Sequence, residues 1–471
     1  MASKAKPLSR DELLGLGAMA MAVLVIANDF TALSVALPAI EADFASDVTT
    51  VQWVINGYAL VFGVLIVSGG RLADMFGRRL IFFLGSAIFA FFSLIGGLAA
   101  DIWVLLVARG IMGIGGAMMW PAILGMTYAL IPSRAALAGG LILGAAGFGN
   151  AIGPLLGGAL TDALSWRWIF YLNLPIAAIA VLVTWRIVAE EKPDTTDHRI
   201  DYAGVAALSV GLFALLLALD FVADLGWASL RILGLFALSA LALVGFGVIE
   251  RGAGGKALIP SDVLENRAFF AAGLATLLMS AIFFAALLYL PQFMSKVLGY
   301  SAVMAGAGLL PMMGTFAVTS FIAGPIYERV GPKVIVSTGA LFLAVGMFML
   351  SGIQGSTTYP ELVPGMVVLG IGIGLFYSSI TTAAITAVDH SRASLAGAIV
   401  YMFQIAGGSI GLGLNTAIVV MAPSLPEGIG TAFLVDAFLA ICGVLVSVFF
   451  VGGTIDRERL RTMMHHHRAH G

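Results

Sequence analysis

The chain alternates between long apolar runs and short polar breaks, and the runs set its architecture. Runs of about 20 apolar residues suffice to cross a hydrocarbon core as helices. They fall near 13–37, 51–70, 80–100, 103–131, 136–161, 167–189 and 202–222, then 229–249, 268–291, 303–326, 333–353, 362–387, 393–421 and 430–453. Fourteen runs predict fourteen transmembrane helices, and an even number puts both chain ends on one side. The opening MASKAKPLSR and its apolar run look like a signal peptide. That run is too long, carries Asp29 and leads directly into another span, so it is read as a retained first helix.

Basic residues say which side is which. With the N-terminus in the cytoplasm, nearly all of the 24 Lys+Arg fall inside, among them Arg10, Arg71, Arg78, Arg79, Arg134, Arg186, Arg251, Arg267, Arg329, Lys333 and Arg392. Only Arg167, Arg231 and Lys296 fall outside, and Arg109 lies within a span. This asymmetry is the positive-inside rule. It predicts a multi-pass protein of the cytoplasmic (inner) membrane with both termini cytoplasmic.

The second half of the chain echoes the first. Gly70, Asp74, Gly77, Arg78 and Arg79 follow span 2, and Gly324, Glu328, Gly331 and Lys333 follow span 10, with acid, glycine and base at matching spacing. Gly113-Ile-Gly-Gly in span 4 is echoed by Gly370-Ile-Gly-Ile-Gly in span 12. Two homologous, parallel six-span halves with two spans inserted between them are therefore predicted, a layout that places a ligand site between the halves. The divisions are residues 1–189 for the first bundle, 190–266 for a cytoplasmic linker with the two extra helices, 267–455 for the second bundle and 456–471 for a cytoplasmic tail.

Composition narrows the chemistry. At 471 residues, 60% hydrophobic, 11% charged and with a mean hydropathy of +1.03, the chain does not fit a soluble fold. A net charge of −2 argues against a nucleic-acid partner. A single cysteine, Cys442, excludes a disulfide framework or a cysteine metal cluster, and the tail MMHHHRAHG reads as a solvated end. There is no Walker-type phosphate loop, no HExxH, no nucleophile elbow and no intramembrane His/Asp cluster. The expectation is a chain that is not an enzyme and has no catalytic residues, metal, cofactor or ATP.

Span 5 carries the most specific string, GAAGFGNAIGPLLGGAL. Gly149, Gly153 and Gly157 recur every four residues and share one helical face, which lets a neighbouring helix approach closely in lipid. Gly158 adjoins them, and Pro154 removes a backbone donor at mid-span, so a bend is expected there. This string resembles the antiporter motif in the fifth span of drug–proton antiporters of the major facilitator superfamily. GGRLADMFGRR resembles that superfamily's loop 2–3 signature, and LLVARGIMGIGGAMMWP, with Arg109, its span-4 signature. NDFTALSVALPAI, QWVINGYAL, WRWIFYLNLP and Asp201-Tyr-Ala-Gly204 are similar to the fourteen-span branch, while LLYLPQF, LGYSAVMAGAGLLP and GPIYERVGPK fit more loosely. The resemblance implies an all-α integral membrane protein with the major facilitator fold: two six-helix parallel-repeat bundles plus two inserted helices. It also implies proton-coupled export of lipophilic drugs or related small molecules by alternating access, driven by the proton motive force. A dedicated exporter of one endogenous metabolite, antibiotic or lipid is the alternative on the same scaffold. Uptake fits less well, because span 13 (Gly407, Gly408, Gly411) lacks the matching proline.

Individual residues take roles from this reading. Asp29 and Arg109 are the intramembrane charges; such groups face the interior, pair and are usually functional. A contact that is made and broken would alternately release and bind a proton, since desolvation favours the neutral acid and a nearby arginine the anion. Arg109 lies closer to the outer end than Asp29 does, which weakens the case for direct contact. Gly77 permits a turn, Asp74 can cap a helix or pair with arginine, and Arg78 and Arg79 are placed towards cytoplasm and headgroups. The resemblance makes this loop a conformational latch. Asp220 and Asp224 read as solvated and Asp436 as interfacial. Several members of the resembled family that export dicationic dyes carry an acid deep in the second half. Spans 9–13 here have none, so the resemblance implies a small lipophile, neutral, zwitterionic or monocationic, handled by a monomer in a lipid bilayer. Candidate cavity residues are Asn28, Trp53, Asn56, Tyr58, Trp120, Asn150, Tyr289, Gln292, Tyr377, Gln404 and Asn415.

Overall fold

The computed structural model describes residues 8–46, 48–189, 201–253, 257–260, 263 and 265–451. The linker 190–200, the tail 452–471 with its histidines, and the side chains of Asp220 and Asp224 lie outside the described residues. Fourteen helices are long and apolar enough to span a membrane. They are α1 (Arg10–Phe44), α2 (Val48–Phe76), α3 (Arg78–Gly97), α4 (Ile102–Leu130), α5 (Ala135–Ala163), α6 (Arg167–Ile187) and α7 (Tyr202–Leu225). They continue with α8 (Leu230–Ala253), α9 (Arg267–Lys296), α10 (Leu310–Val330), α11 (Pro332–Leu350), α12 (Tyr359–Thr386), α13 (Ala393–Met421) and α14 (Leu425–Phe450).

Several helices begin where a side chain satisfies the free N–H groups of the first turn. Ser9 and Glu12 form a capping box at α1, and Asp201 accepts from the Gly204 N–H at α7. Gly77 (φ 105°) and Gly331 (φ 83°) make the matching turns after α2 and α10, in a backbone region that side chains disfavour. Span 10 is broken: a short helix, Ala302–Ala307, precedes α10, and Pro311 opens the second piece without an N–H to carry the ladder across the break. Pro154 lies inside a single continuous α5.

In the first bundle α1 packs on α5 and α6, and α4 on α2 and α3; in the second α9 packs on α13 and α14, and α12 on α10 and α11. The bundles meet along two seams, α2 against α13 and α5 against α10, which the internal repeat relates to each other. Helices α7 and α8 pair outside this body, with α7 against α2 and α13 and α8 largely exposed to the bilayer. The face bearing Arg71, Arg78, Arg134, Arg267, Arg329 and Arg392 is called the basic face below.

Candidate functional site

Asp29 and Arg109 are both fully buried and in contact, with Arg109 Nη1 2.5 Å from Asp29 Oδ2. The two meet despite the depth mismatch expected from the sequence: α1 runs on to Phe44, so its outer end extends further beyond the pair than that of α4, which starts at Ile102. Asn173 on α6 donates to Asp29 Oδ1 at 3.1 Å and to Ser93 Oγ at 3.2 Å, and Ser93 donates on to the Phe170 carbonyl at 2.9 Å. Arg109 Nε donates to the Val54 carbonyl at 2.7 Å, and its guanidinium lies 4.4 Å from the Tyr58 ring centroid. Five helices therefore box one buried ion pair, and breaking it strands a charge. The carboxylate is held by charge and amide, whereas the guanidinium also has a carbonyl and an aromatic face of its own.

The glycine face of α5 sets the position of α1 beside this pair. A Cβ on Gly149 would sit 3.0 Å from Ala27 Cβ and 3.1 Å from the Leu24 carbonyl oxygen. On Gly153 it would strike Thr31, and on Gly157 the Ala32 carbonyl. Only bare backbone permits this approach. Pro154 and Gly158 turn instead to the second bundle, against Gly306 and Val303. At its other end α5 presents Gly140 to Ser320, Gly144 to Phe321 and Gly147 to Phe316.

The basic face is closed by a polar clasp between bundles. Asp74 accepts the Ser394 N–H at 3.3 Å and the Leu395 N–H at 2.8 Å, at the start of α13. Its carboxylate thus sits at a helix N-terminus in the opposite bundle, where both free N–H groups and the dipole favour an anion. Arg78 pairs with Asp74 at 3.2 Å and reaches the His390 carbonyl at 2.6 Å and Ser394 Oγ at 3.1 Å. Arg78 is buried, which corrects its expected exposure to cytoplasm and headgroups, and Arg79 instead holds the Val188 and Trp185 carbonyls at the end of α6. Gly70 lets α2 close on Ser394, Leu395 and Ala398. Across the repeat, Gly324 makes the equivalent approach to Ala136 and Leu137 on α5, but Glu328 there is exposed. Tyr128 and Thr382 add a hydroxyl bridge of 3.0 Å between α4 and α12.

The cavity candidates divide three ways. Trp120 meets Tyr401 of the other bundle at 4.7 Å between ring centroids, with its Nε1 unpartnered, and Asn28 keeps a buried unpartnered Oδ1 beside Asp29. Asn56, Asn150, Gln292 and Gln404 are partly buried. The remainder have other contacts in this closed arrangement. Tyr58 is fully buried under Arg109 and supports the ion pair. Trp53 lines a cleft of ≈ 380 Å³ with Gly57 and the exposed Trp103, and packs on Phe221 of α7, on the outside of the first bundle. Asn415, Tyr289 and Tyr377 are bonded inside the second bundle, to Asp436, Thr416 and Ser280 respectively. Asp436 is corrected from interfacial to fully buried, because it lies well inside α14 under α9 and α13. Asn173 and Tyr401 escaped the sequence reading; a lone amide and a lone phenol in apolar spans were the available signal.

Two pseudo-symmetric helical bundles, closed at one face and carrying a buried charge pair, define a membrane transporter. The Major Facilitator Superfamily profile matches residues 19–412 and 274–465, and the chain belongs to that family. The puromycin resistance protein pur8 of Streptomyces alboniger is 32% identical, over 94% of this chain and 88% of that one. The multidrug transporter protein MdtP of Bacillus subtilis is 31% identical, over 84% of this chain and 73% of that one. Among solved structures, the human organic anion transporter MFSD10 superposes with a TM-score of 0.68 at 15% identity, covering 93% of this chain and 99% of that one, a likeness of fold.

Proposed function

We propose that this protein exports lipophilic small molecules across the cytoplasmic membrane in exchange for protons, with both termini in the cytoplasm. The observation that carries this reading is the buried Asp29–Arg109 pair, next to the helix that the α5 glycines hold in place. Protonating Asp29 would cancel its attraction to Arg109 and free α1 to shift against α5. Because Arg109 is independently fixed by Val54 and Tyr58, the acid is the partner that moves. Resistance and multidrug functions in the names of the relatives support drug export. The contact of Trp120 with Tyr401, with the Trp120 Nε1 unpartnered, offers an aromatic and sparsely polar surface for a neutral or monocationic lipophile. A membrane potential would supply about 2.3 kcal/mol per charge per 100 mV, without ATP.

A dedicated exporter of a single product is the second reading, favoured by relatives named for one antibiotic each, puromycin and tetracenomycin C. The test is substrate-driven proton movement in proteoliposomes holding a pH gradient, with wild type beside Asp29→Asn. Collapse of the gradient by lipophilic drugs in wild type alone supports the proposal; an identical response of both proteins refutes Asp29 as the coupling acid. Response to one compound among many favours the dedicated exporter.

A further inference from the structure

The second bundle holds an acid without a counter-charge. Asp436 is 0% exposed, and among the described residues no Lys, Arg or His nitrogen comes within 4.0 Å of it. Its partner is an amide: Asn415 Nδ2 lies 3.2 Å and 3.1 Å from the two carboxyl oxygens and 2.9 Å from the Gly411 carbonyl. The helices packed on α14 bring little else. From α9 comes Tyr289, whose hydroxyl bonds Thr416 of α13 at 2.7 Å; Arg267 and Lys296 are at the ends of that helix. On α11 the one charged residue, Lys333, is in the first turn, and α13 carries no charged residue. On α14 itself Glu427 is in the first turn and Cys442 faces outwards.

One atom in this cluster is left over. Asn415 Oδ1 is buried and has no hydrogen-bond partner. An ionised Asp436 offers only acceptors, so it can never satisfy that oxygen, and it would be a bare charge in the membrane interior. A protonated Asp436 supplies the missing donor. A carboxylic acid and a carboxamide are complementary: the amide N–H donates to the acid carbonyl while the acid O–H donates to the amide carbonyl. The change needed is a turn of the Asn415 side chain that brings Oδ1 beside the carboxyl while one Nδ2 hydrogen stays on the Gly411 carbonyl and the other on Asp436.

The location is not arbitrary. Gly407 and Gly411 of α13 approach Leu277 and Ala281 of α9 through bare backbone, as Gly153 and Gly157 of α5 approach α1. Asn415 continues that spacing by one more turn. Each bundle therefore sets an acid beside its glycine seam, Asp29 with a guanidinium and Asp436 with an amide.

From this pairing we infer that Asp436 is a second proton-binding site, neutral and bonded to Asn415 when the basic face is closed, which adds one proton to each export cycle. The second clause rests on the export reading above; the first does not, and it can be measured without transport. Infrared spectra of the purified protein in lipid, at neutral pH, would be compared for wild type, Asp436→Asn, Asp29→Asn and Asn415→Leu. A protonated-carboxyl C=O band present in wild type and Asp29→Asn but lost in Asp436→Asn is the expected result. Asn415→Leu, which leaves the acid in place, is expected to shift that band rather than remove it. Persistence of every such band in Asp436→Asn would overturn the site. In proteoliposomes Asp436→Asn is expected to move one proton fewer per substrate, and an unchanged ratio would overturn the second proton. Should wild type show the band yet move no protons with any substrate, the site would be upheld and the export reading alone would fall.

Discussion

Asp74, on the first bundle, accepts the backbone N–H of Leu395, on the second, at 2.8 Å. Two residues more than 300 positions apart thus form a helix cap across the line along which the bundles separate. Asp74→Asn removes the charge while keeping the shape. Charged hydrogen bonds contribute about 1.5–3 kcal/mol, so the closed-to-open balance of the basic face is expected to shift roughly 10- to 100-fold towards open. Maleimide labelling of Leu124→Cys, at a buried contact between bundles, in a Cys442→Ser background is expected to accelerate accordingly. An unchanged rate would remove Asp74 from the closing machinery.

Arg109→Gln is expected to destabilise the protein more than Asp29→Asn does. The first leaves a carboxylate buried without its cation, a loss of about 3–5 kcal/mol. The second leaves the guanidinium its carbonyl and its aromatic face. Thermal unfolding in lipid checks the order, and the double variant is expected to recover stability relative to Arg109→Gln without recovering transport.

Alanine at α5 glycines is expected to act by position. At Gly157 the new methyl meets the Ala32 backbone, which cannot give way, for a loss of about 1–3 kcal/mol by overpacking. At Gly149 the nearest atoms are 3.0 Å and 3.1 Å off, and a small adjustment of α1 suffices. Gly110 on α4 faces open space, so alanine there is neutral, or stabilising by up to about 1 kcal/mol through helix propensity. Melting temperatures of the three variants test the ranking.

Trp120→Ala is expected to raise the substrate KM about 3- to 10-fold, the worth of an aromatic contact of about 0.5–1.5 kcal/mol. The number of protons moved per substrate is expected to stay at the wild-type value, because Trp120 does not touch Asp29. Efflux kinetics read alongside proton flux separate the two effects; a change in the proton ratio would place Trp120 in the coupling pathway.

Much of this was legible in the chain because lipid imposes simple rules. Apolar run length gave all fourteen spans, and the four-residue glycine spacing marked the face of α5 that packs on α1. Asp29 and Arg109 stood out because charges are costly in hydrocarbon. What stayed hidden depended on helix rotation and length. Run length does not report how neighbouring helices are offset along their axes, so the contact of Asp29 with Arg109 could not be read from their places in the runs. Nor does it tell which side of α2 faces the bundle interior, so it does not separate Tyr58, under Arg109, from Trp53, on the outer cleft. Asp436 looked peripheral because α14 begins earlier, at Leu425, than its apolar run does.

The repeat-related approaches of Gly70 to α13 and Gly324 to α5 are alike in backbone but not in charge. At the first, a carboxylate and an arginine tie the edges together; at the second, the α5 glycines pack on the backbone of Ser320 and on the rings of Phe316 and Phe321, while Glu328 is exposed. The closed face therefore has a charged fastening along one margin and close packing along the other. Opening the α2–α13 margin strips a carboxylate and an arginine of their partners, whereas opening the α5–α10 margin bares glycine backbone and aromatic rings.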